Sequence, residues 1–429
     1  MAVLLDQFRL GFIPPGISRS RALMRCISCI NHERSDSSRF CRDDLCQVTD
    51  MVQEAIWTFW HPEEIILCIR DPRSAHLASE CESRGITVRK LWLPEGTNED
   101  ELWQTFTLLV ELAEEGEEIL FDVTDGHRSL PFIISLAATW MKEVRGVKII
   151  GVVYATQPDE HGFRHIVNLQ PVLQVIDWMA GVRALLSHTD AEKISHLFTG
   201  LQGNIYKAGQ EPEPPKRLTG WSHLLGTFTK AVRLSRPVDA MYAAWGISQD
   251  LPVIRDEIQR FAPALLSVVE ELAEIGEMAA IPSPEELNNE YLFMQLRLIR
   301  YQIDHGLEMQ AIALSREWLI SVSMLVLEVD ESWLDADSRH TVSRTLTGLA
   351  LTLQGIPSET TPFTHILLEK TNWKEMVRTW ERVSDLRNDL AHCGMNRRNE
   401  SLRSLLQRTQ SIPDELKEFA QHAGIPLNV

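Results

Sequence analysis

Arg387-Asn388-Asp389-Leu390-Ala391-His392 sets a guanidinium, a carboxamide and an imidazole within six residues. That set suits the cleavage of RNA, which carries its own nucleophile in the 2′-hydroxyl. A protein has only to remove that proton, protonate the departing 5′-oxygen and stabilise charge on the phosphorane. His392 is the natural acid and base. Arg387 can pair with the scissile phosphate, and Asn388 can orient either group. Such chemistry requires no metal and leaves a 2′,3′-cyclic phosphate.

Spacing alone does not single out this pair. Arg183…His188 and Arg300…His305 repeat it, and a chain of this composition yields roughly one such match by chance. The neighbours do distinguish it: Asn388 directly follows Arg387, whereas Ala184 and Tyr301 follow the other two arginines. Charge also favours it. The whole chain carries −18, which excludes a broad nucleic-acid-coating face, yet residues 374–408 hold eight Lys/Arg against five Asp/Glu. Residues five apart on a helix diverge by about 140°, so one copy of the chain does not present both side chains on one face.

A second constellation lies at Phe121–Phe132, where an apolar run ends in Thr124-Asp125-Gly126-His127-Arg128-Ser129 and a helical stretch follows at once. A turn after a buried parallel strand offers backbone amides and a helix N-terminus to an anion. Gly126 is expected to permit close approach or a positive φ. Thr124, His127, Arg128 and Ser129 supply donors for a phosphate or a base edge. Without a ligand, the same residues would make an ordinary strand–helix turn.

The elements that must hold these groups fall into two kinds. Residues 24–30, 65–70, 86–92, 118–123 and 147–155 read as short β-branched strands, and 163–169 as a late antiparallel one. Helical stretches at 71–84, 99–114 and 129–145 alternate with them, predicting an α/β Rossmann-like domain with helices on both faces of a mostly parallel sheet. A helix is expected over 172–187. Beyond residue 188 the strands fade. Amphipathic stretches at 251–278, 284–304, 307–327, 338–353 and 373–392 predict an all-α bundle, with Gly394 placed to end the last of them. The polar, proline-rich segment 208–217 reads as an exposed connector.

Asp122-x-Thr124-x-Gly126-x-Arg128-Ser129-x-Pro131 after a hydrophobic strand resembles the signature of the CRISPR-associated Rossmann-fold (CARF) sensor domains. The pattern likeness extends over roughly residues 50–187. Arg387-x4-His392, late in the chain and with Asn388 beside it, is similar to the motif of HEPN ribonucleases. Asp125 stands where many CARF relatives have histidine, and the loop from Asn31 to Ser35 lacks their glycine. Asp125 is then expected to hydrogen-bond a ribose or adenine, or to cap the helix.

The resemblance implies a sensor at 1–187, a helical connector at 188–283 and a HEPN domain at 284–429. It further implies a homodimer that binds cyclic oligoadenylate, with cyclic tetraadenylate favoured, through Asn31 and Thr124–Ser129. Single-stranded RNA would be the substrate, cut by Arg387, Asn388 and His392, and the setting a type III CRISPR effector system. Two alternatives remain: a nucleotide-sensing adaptor without catalysis, and a sensor domain that also degrades its own ring.

With 44% hydrophobic and 24% charged residues the composition is that of a water-soluble globular chain, and no apolar run reaches membrane-spanning length. Asp6, Arg9 and Pro14-Pro15 interrupt the apolar N-terminus, so a cytoplasmic location is expected. Seven cysteines, an odd number, predict reduced thiols rather than a disulfide framework. Cys26, Cys29, Cys41 and Cys46 with His32 have a loose zinc-like spacing, but buried free cysteines are the expectation and no metal is assigned. Trp373 and Trp380 are placed in the core rather than against bases.

Overall fold

Apolar side chains alternate across the N-terminal strands with period two, and that alternation builds two cores on one sheet. The computed structural model describes residues 24–30, 38–126, 129–209, 211–279, 286–329, 332–393, 395 and 401–427. They divide into two compact units, with the boundary after Val175.

In the first unit the chain runs β1 (Met24–Cys29), β2 (Ser38–Arg42), β3 (Leu45–Thr49), α1 (Val52–Trp60), β4 (Glu64–Ile69), α2 (His76–Ser83), β5 (Val88–Trp92) and α3 (Glu99–Val110). It continues with β6 (Glu118–Asp122), α4 (Leu130–Arg145), β7 (Lys148–Ala155) and β8 (Phe163–Asn168). The sheet order is β3-β2-β8-β7-β6-β1-β4-β5. Strands β7, β6, β1, β4 and β5 are parallel, and β8 returns antiparallel to β7. Ile27, Ile66, Ile119 and Phe121 pack with α3 and α4 on one face. Cys26, Ile65, Leu67 and Leu120 pack with α1 and α2 on the other. From β1 the chain first forms the β2–β3 hairpin at the far edge beside β8, then returns to β4 and β5 on one side of β1 and crosses back to β6 on the other. The carboxyl ends of β1 and β6 therefore flank the topological switch point, where open α/β sheets bind ligands.

The hairpin β2–β3 escaped the sequence reading because its alternation is masked by Arg39, Arg42, Asp43 and Asp44. Asp43, at φ 52°, turns the chain in the left-handed region that aspartate tolerates better than most residues. Cys41 and Cys46 sit directly opposite each other, with Cα atoms 4.2 Å apart, and form a disulfide. The expectation of reduced thiols fails at this pair. It failed because an odd cysteine count says nothing about two cysteines that a tight hairpin places face to face. Cys26, Cys29, Cys68, Cys81 and Cys393 are free thiols.

The second unit is helical. After α5 (Gln170–His188) come α6 (Glu192–Ala208), α7 (Leu218–Arg233), α8 (Pro237–Phe261), α9 (Leu266–Leu272), α10 (Asn289–Asp304) and α11 (Glu308–Val326). Then follow α12 (Ala336–Leu353), α13 (Thr364–Leu368), α14 (Trp373–Ala391) and α15 (Leu402–His422). One continuous core runs from Trp178 to Ala420, with Trp221, Trp318 and Trp380 at its centre. The proline-rich segment lies between two helices of this core. Its described residues are mostly exposed, as expected of a connector, and its end is held by Glu257, whose carboxylate accepts from the backbone amides of Lys216 (2.6 Å) and Arg217 (3.1 Å). The helix expected over 251–278 divides, because Ala262-Pro263 ends α8 and α9 begins only at Leu266.

No helix among the described residues is long and apolar enough to cross a membrane. Phe121 is fully buried between β1, β7 and α4. Phe121→Ala should cost about 3–5 kcal/mol through lost transfer energy and a residual cavity. A urea unfolding midpoint for the N-terminal unit equal to that of the unaltered chain would contradict that core.

Candidate functional site

The N-terminal site begins with a fully buried carboxylate. Asp122 ends β6 directly across from Ser28 on β1. Ser28 Oγ donates to Asp122 Oδ2 (2.6 Å), and Gln53 Nε2 of α1 donates to Ser28 Oγ (3.0 Å). Asp122 Oδ1 accepts from both the backbone N–H (3.0 Å) and the hydroxyl (2.6 Å) of Thr124. Burial pushes the Asp122 carboxyl up, and the hydrogen bonds from Ser28 and Thr124 oppose that shift. Asp122 belongs to the motif read from the sequence but was given no role there. Its burial at the end of an apolar strand was the signal available.

Thr124 is less free than the sequence suggests. Its hydroxyl gives its proton to Asp122 and accepts from the backbone N–H of Ala155 on β7 (2.9 Å), so it ties β6 to β7. Gly126 does not use a positive φ. A Cβ there would meet Pro131 Cγ at 2.7 Å, so the glycine serves internal packing of the turn against the first turn of α4. Ser129 is the N-cap of α4 but makes no side-chain capping bond. Asp125 does not cap this helix either. Among the described residues no side chain caps the first turn of α4, and since Pro131 has no N–H, the Leu130 and Phe132 amides are the ones an anion can use. Asn31, His127 and Arg128 lie outside the described residues.

Asp125 is half-buried, and its carboxyl is pushed up to about 7, first by burial and then by the Asp122 carboxylate, with the Arg164 guanidinium opposing. Near neutral pH this side chain is partly protonated, so it can donate a hydrogen bond and need not repel an anionic ligand. Arg164, on β8, was not singled out in the sequence. It is buried, donates from Nε to the Thr156 carbonyl (2.8 Å) and lies 5.0 Å above the Phe40 ring.

The zinc-like cysteines cannot share one ion. Cys26 and Cys29 point to opposite faces of β1, with thiols pushed up by burial, and Cys41 and Cys46 are joined to each other. His32 lies outside the described residues. Among the described residues no cluster of three His, Cys, Asp or Glu side chains could hold a metal.

The C-terminal constellation sits on α14. Met376, Val377, Trp380, Val383 and Leu386 face the core, leaving Arg387, Asn388 and His392 exposed. Arg387 Nη1 donates to Asn388 Oδ1 (3.1 Å), and the His392 backbone N–H donates to the Asn388 carbonyl (2.9 Å). Cys393, at φ 56°, takes the left-handed position expected of Gly394, which itself lies outside the described residues. Nearby, Arg378 pairs with Glu375 and Arg382 with Glu415, whereas Arg387 has only Asn388 among the described residues.

The Arg300…His305 pair is structurally occupied. The His305 ring stacks on Tyr301 at 3.8 Å with Nδ1 at 2.7 Å from the Tyr301 carbonyl, and Arg300 lies 3.7 Å from Asp414. Arg183 and His188 are exposed on α5, so exposure alone does not separate them from Arg387 and His392. Trp380 is core, with its Nε1–H donating to Thr347 Oγ1 (3.2 Å) and the Arg316 guanidinium 4.8 Å above its ring. Trp373 packs half-buried against the same core.

The CRISPR-associated protein MJ1674 of Methanocaldococcus jannaschii is 25% identical over 175 residues. The resemblance is to a CRISPR-associated protein. The match covers 40% of this chain and 23% of the length of that CRISPR-associated relative. Among solved structures, Enterococcus italicus Csm6 bound to cyclic hexa-2′-fluoro-hexa-dAMP aligns over 94% of both chains, with a TM-score of 0.44 and 10% identity, too slight a likeness to assign residues. No family model matches the chain.

The raised Asp125 carboxyl has a measurable consequence. A carboxyl shifted from 3.8 to about 7 favours the folded chain while it holds its proton. Its contribution is full below pH 3.8 and is lost as pH rises towards about 7. Asp125→Asn should abolish that loss, so the variant's thermal midpoint should gain on that of the unaltered chain across this window. Parallel pH profiles for the two proteins would contradict the shift.

Proposed function

We propose that the chain is a CARF–HEPN protein of CRISPR defence: a homodimeric endoribonuclease, activated by cyclic oligoadenylate, that cleaves single-stranded RNA without a metal. The observation that carries this is the exposed trio on α14. Arg387, Asn388 and His392 lie at one helix end, turned away from the core, and no other described side chain engages the imidazole or competes with Asn388 for the guanidinium. In the proposed step His392 takes the 2′-hydroxyl proton, the 2′-oxygen bonds to phosphorus, the bond from phosphorus to the 5′-oxygen breaks, and the 5′-oxygen departs with the proton that the His392 imidazolium returns. The products are a 2′,3′-cyclic phosphate and a free 5′-hydroxyl. Arg387 meets the phosphate charge and Asn388 holds the guanidinium.

The sensor site is assigned to the switch-point turn Thr124–Ser129 with Asn31. An uncapped helix N-terminus receives phosphate there, and the Asp125 carboxyl donates to a base or ribose. A ring of even symmetry, with cyclic tetraadenylate first among the candidates, suits a site repeated about a two-fold axis. The type III effector system is the expected source of such a ring. The Asp125 carboxyl also favours a second activity. A group titrating near 7 beside a bound phosphodiester is placed for acid–base chemistry, so the sensor turn could cut its own ring.

Dimerisation is assigned to α4. Phe132, Leu136, Trp140 and Val144 repeat every four residues and are 42–69% exposed, and Phe106 bridges Trp140 to Trp103 by edge contacts. A contiguous apolar stripe of that kind marks an association surface. It begins in the first turn after the sensor loop, so two copies meeting on α4 would bring their ligand turns near each other.

His392→Ala should lower RNA cleavage by at least about a hundredfold in the presence of cyclic tetraadenylate. Cleavage at the unaltered rate would remove His392 from the mechanism. Cleavage of a substrate lacking 2′-hydroxyls would remove the mechanism itself. A chain that binds the ring but never cuts RNA would be an adaptor. Trp140→Glu should convert the dimer to monomer in sedimentation equilibrium, with loss of cleavage; an unchanged mass would move the interface elsewhere.

A further inference from the structure

Gln295 lies in the middle of α10, 2% exposed, and its carboxamide Nε2 has no hydrogen-bond partner. Buried donors are rarely left so, and an unpaired one in a natural chain calls for a missing acceptor. Gln295 lines a cavity of about 370 Å3 between the start of α8, α10, α11 and the segment leading into α12. That volume is within the range of small-molecule sites, roughly 300–1,000 Å3, and exceeds the about 30 Å3 of one water.

Helix α8 opens the cavity from the other side. It runs for 25 residues from Pro237, and no side chain caps it. Val238 and Asp239 line the cavity in its first turn, where backbone N–H groups have no intrahelical acceptor. The acidic groups present are already engaged. Glu317 is held by Nη2 of Arg339 (2.8 Å), whose Nη1 also donates to Ser321 Oγ (3.0 Å) and the Trp333 carbonyl (3.0 Å). Asp239 is paired with Nε of Arg236, and no other described group takes the Nη atoms of Arg236. What remains uncommitted is a set of donors: Gln295 Nε2, the first amides of α8 and the end of the Arg236 guanidinium. Leu314, Leu334 and Trp333 make much of the remaining wall apolar.

We propose that this cavity binds a small organic oxyanion, a phosphate or carboxylate on an apolar body of nucleoside size, with Gln295 and Arg236 at its charged end. The site lies wholly within the helical unit and is independent of the sensor turn and of Arg387–His392.

Isothermal titration of the full chain with adenosine 5′-monophosphate, phenylacetate and uncharged adenosine tests it. At least one of the two anions should bind with a Kd of about 1 mM or tighter, and adenosine at least tenfold more weakly than adenosine 5′-monophosphate if the phosphate is read. Binding of the phosphate probe alone identifies a phosphate ligand, and binding of phenylacetate alone a carboxylate. Gln295→Leu keeps the volume, removes the unpaired donor, and should weaken binding at least tenfold while leaving the thermal midpoint of the empty protein unchanged or higher. Arg236→Gln, at an exposed position, should weaken the anion severalfold with the fold intact. The proposal is overturned if neither anion binds, if adenosine binds as well as its monophosphate with phenylacetate silent, or if both variants retain full affinity. Failure here leaves RNA cleavage and ring binding untouched, so the two outcomes are separable.

Discussion

A carboxylate with no solvent-exposed surface sits where β6 ends, and the neighbouring strands are arranged around its needs. Asp122 takes hydrogen bonds from Ser28 on β1 and from both polar groups of Thr124, and Thr124 passes the tie on to the Ala155 amide of β7. A buried carboxylate is tolerable only when its oxygens are satisfied, so the register of three adjacent strands and the course of the turn are coupled to one side chain. Gln53 extends the coupling to α1. Burial raises the Asp125 carboxyl, and the same Asp122 group adds to that shift. The group that fixes the end of the sheet thus also contributes to the electrostatics of the crevice beside it.

The helical unit solves a different problem. Its single core leaves little freedom to the apolar faces of the long helices, and polar groups accumulate at helix ends and between helices. Arg316 of α11 lies over Trp380 of α14 and reaches Ser343 of α12, which joins three helices around the base of the segment bearing Arg387. The exposed trio consequently stands on a stiff support.

The parallel strands and their helices were legible because buried β-branched runs alternating with helical stretches leave few other folds open. What could not be read were contacts between residues distant in sequence. The hairpin β2–β3 hides behind Arg39, Arg42, Asp43 and Asp44, and its disulfide depends on a pairing register that cysteine counting cannot see. Thr124 and Gly126 were correctly placed at the turn, but Thr124's proton goes to Asp122 and Gly126's missing side chain makes room for Pro131. Arg164 acts on the same crevice from β8, with α4 and β7 between it and the turn in the chain. At the other end, Arg387 and His392 were singled out by their neighbour Asn388, whose side chain does meet Arg387. Nothing in the sequence flagged Gln295, because a lone glutamine on a helix reads as a surface residue until its burial is known.

The close fit of Gly126 to Pro131 reaches beyond this one chain. Any side chain at position 126 would claim the space of the proline ring, and a smaller residue at 131 would release it. The two positions are therefore not free to drift separately. Across descendants of this sequence they should change together or not at all, and a design that regrafts the turn must transplant the glycine and the proline as a single unit.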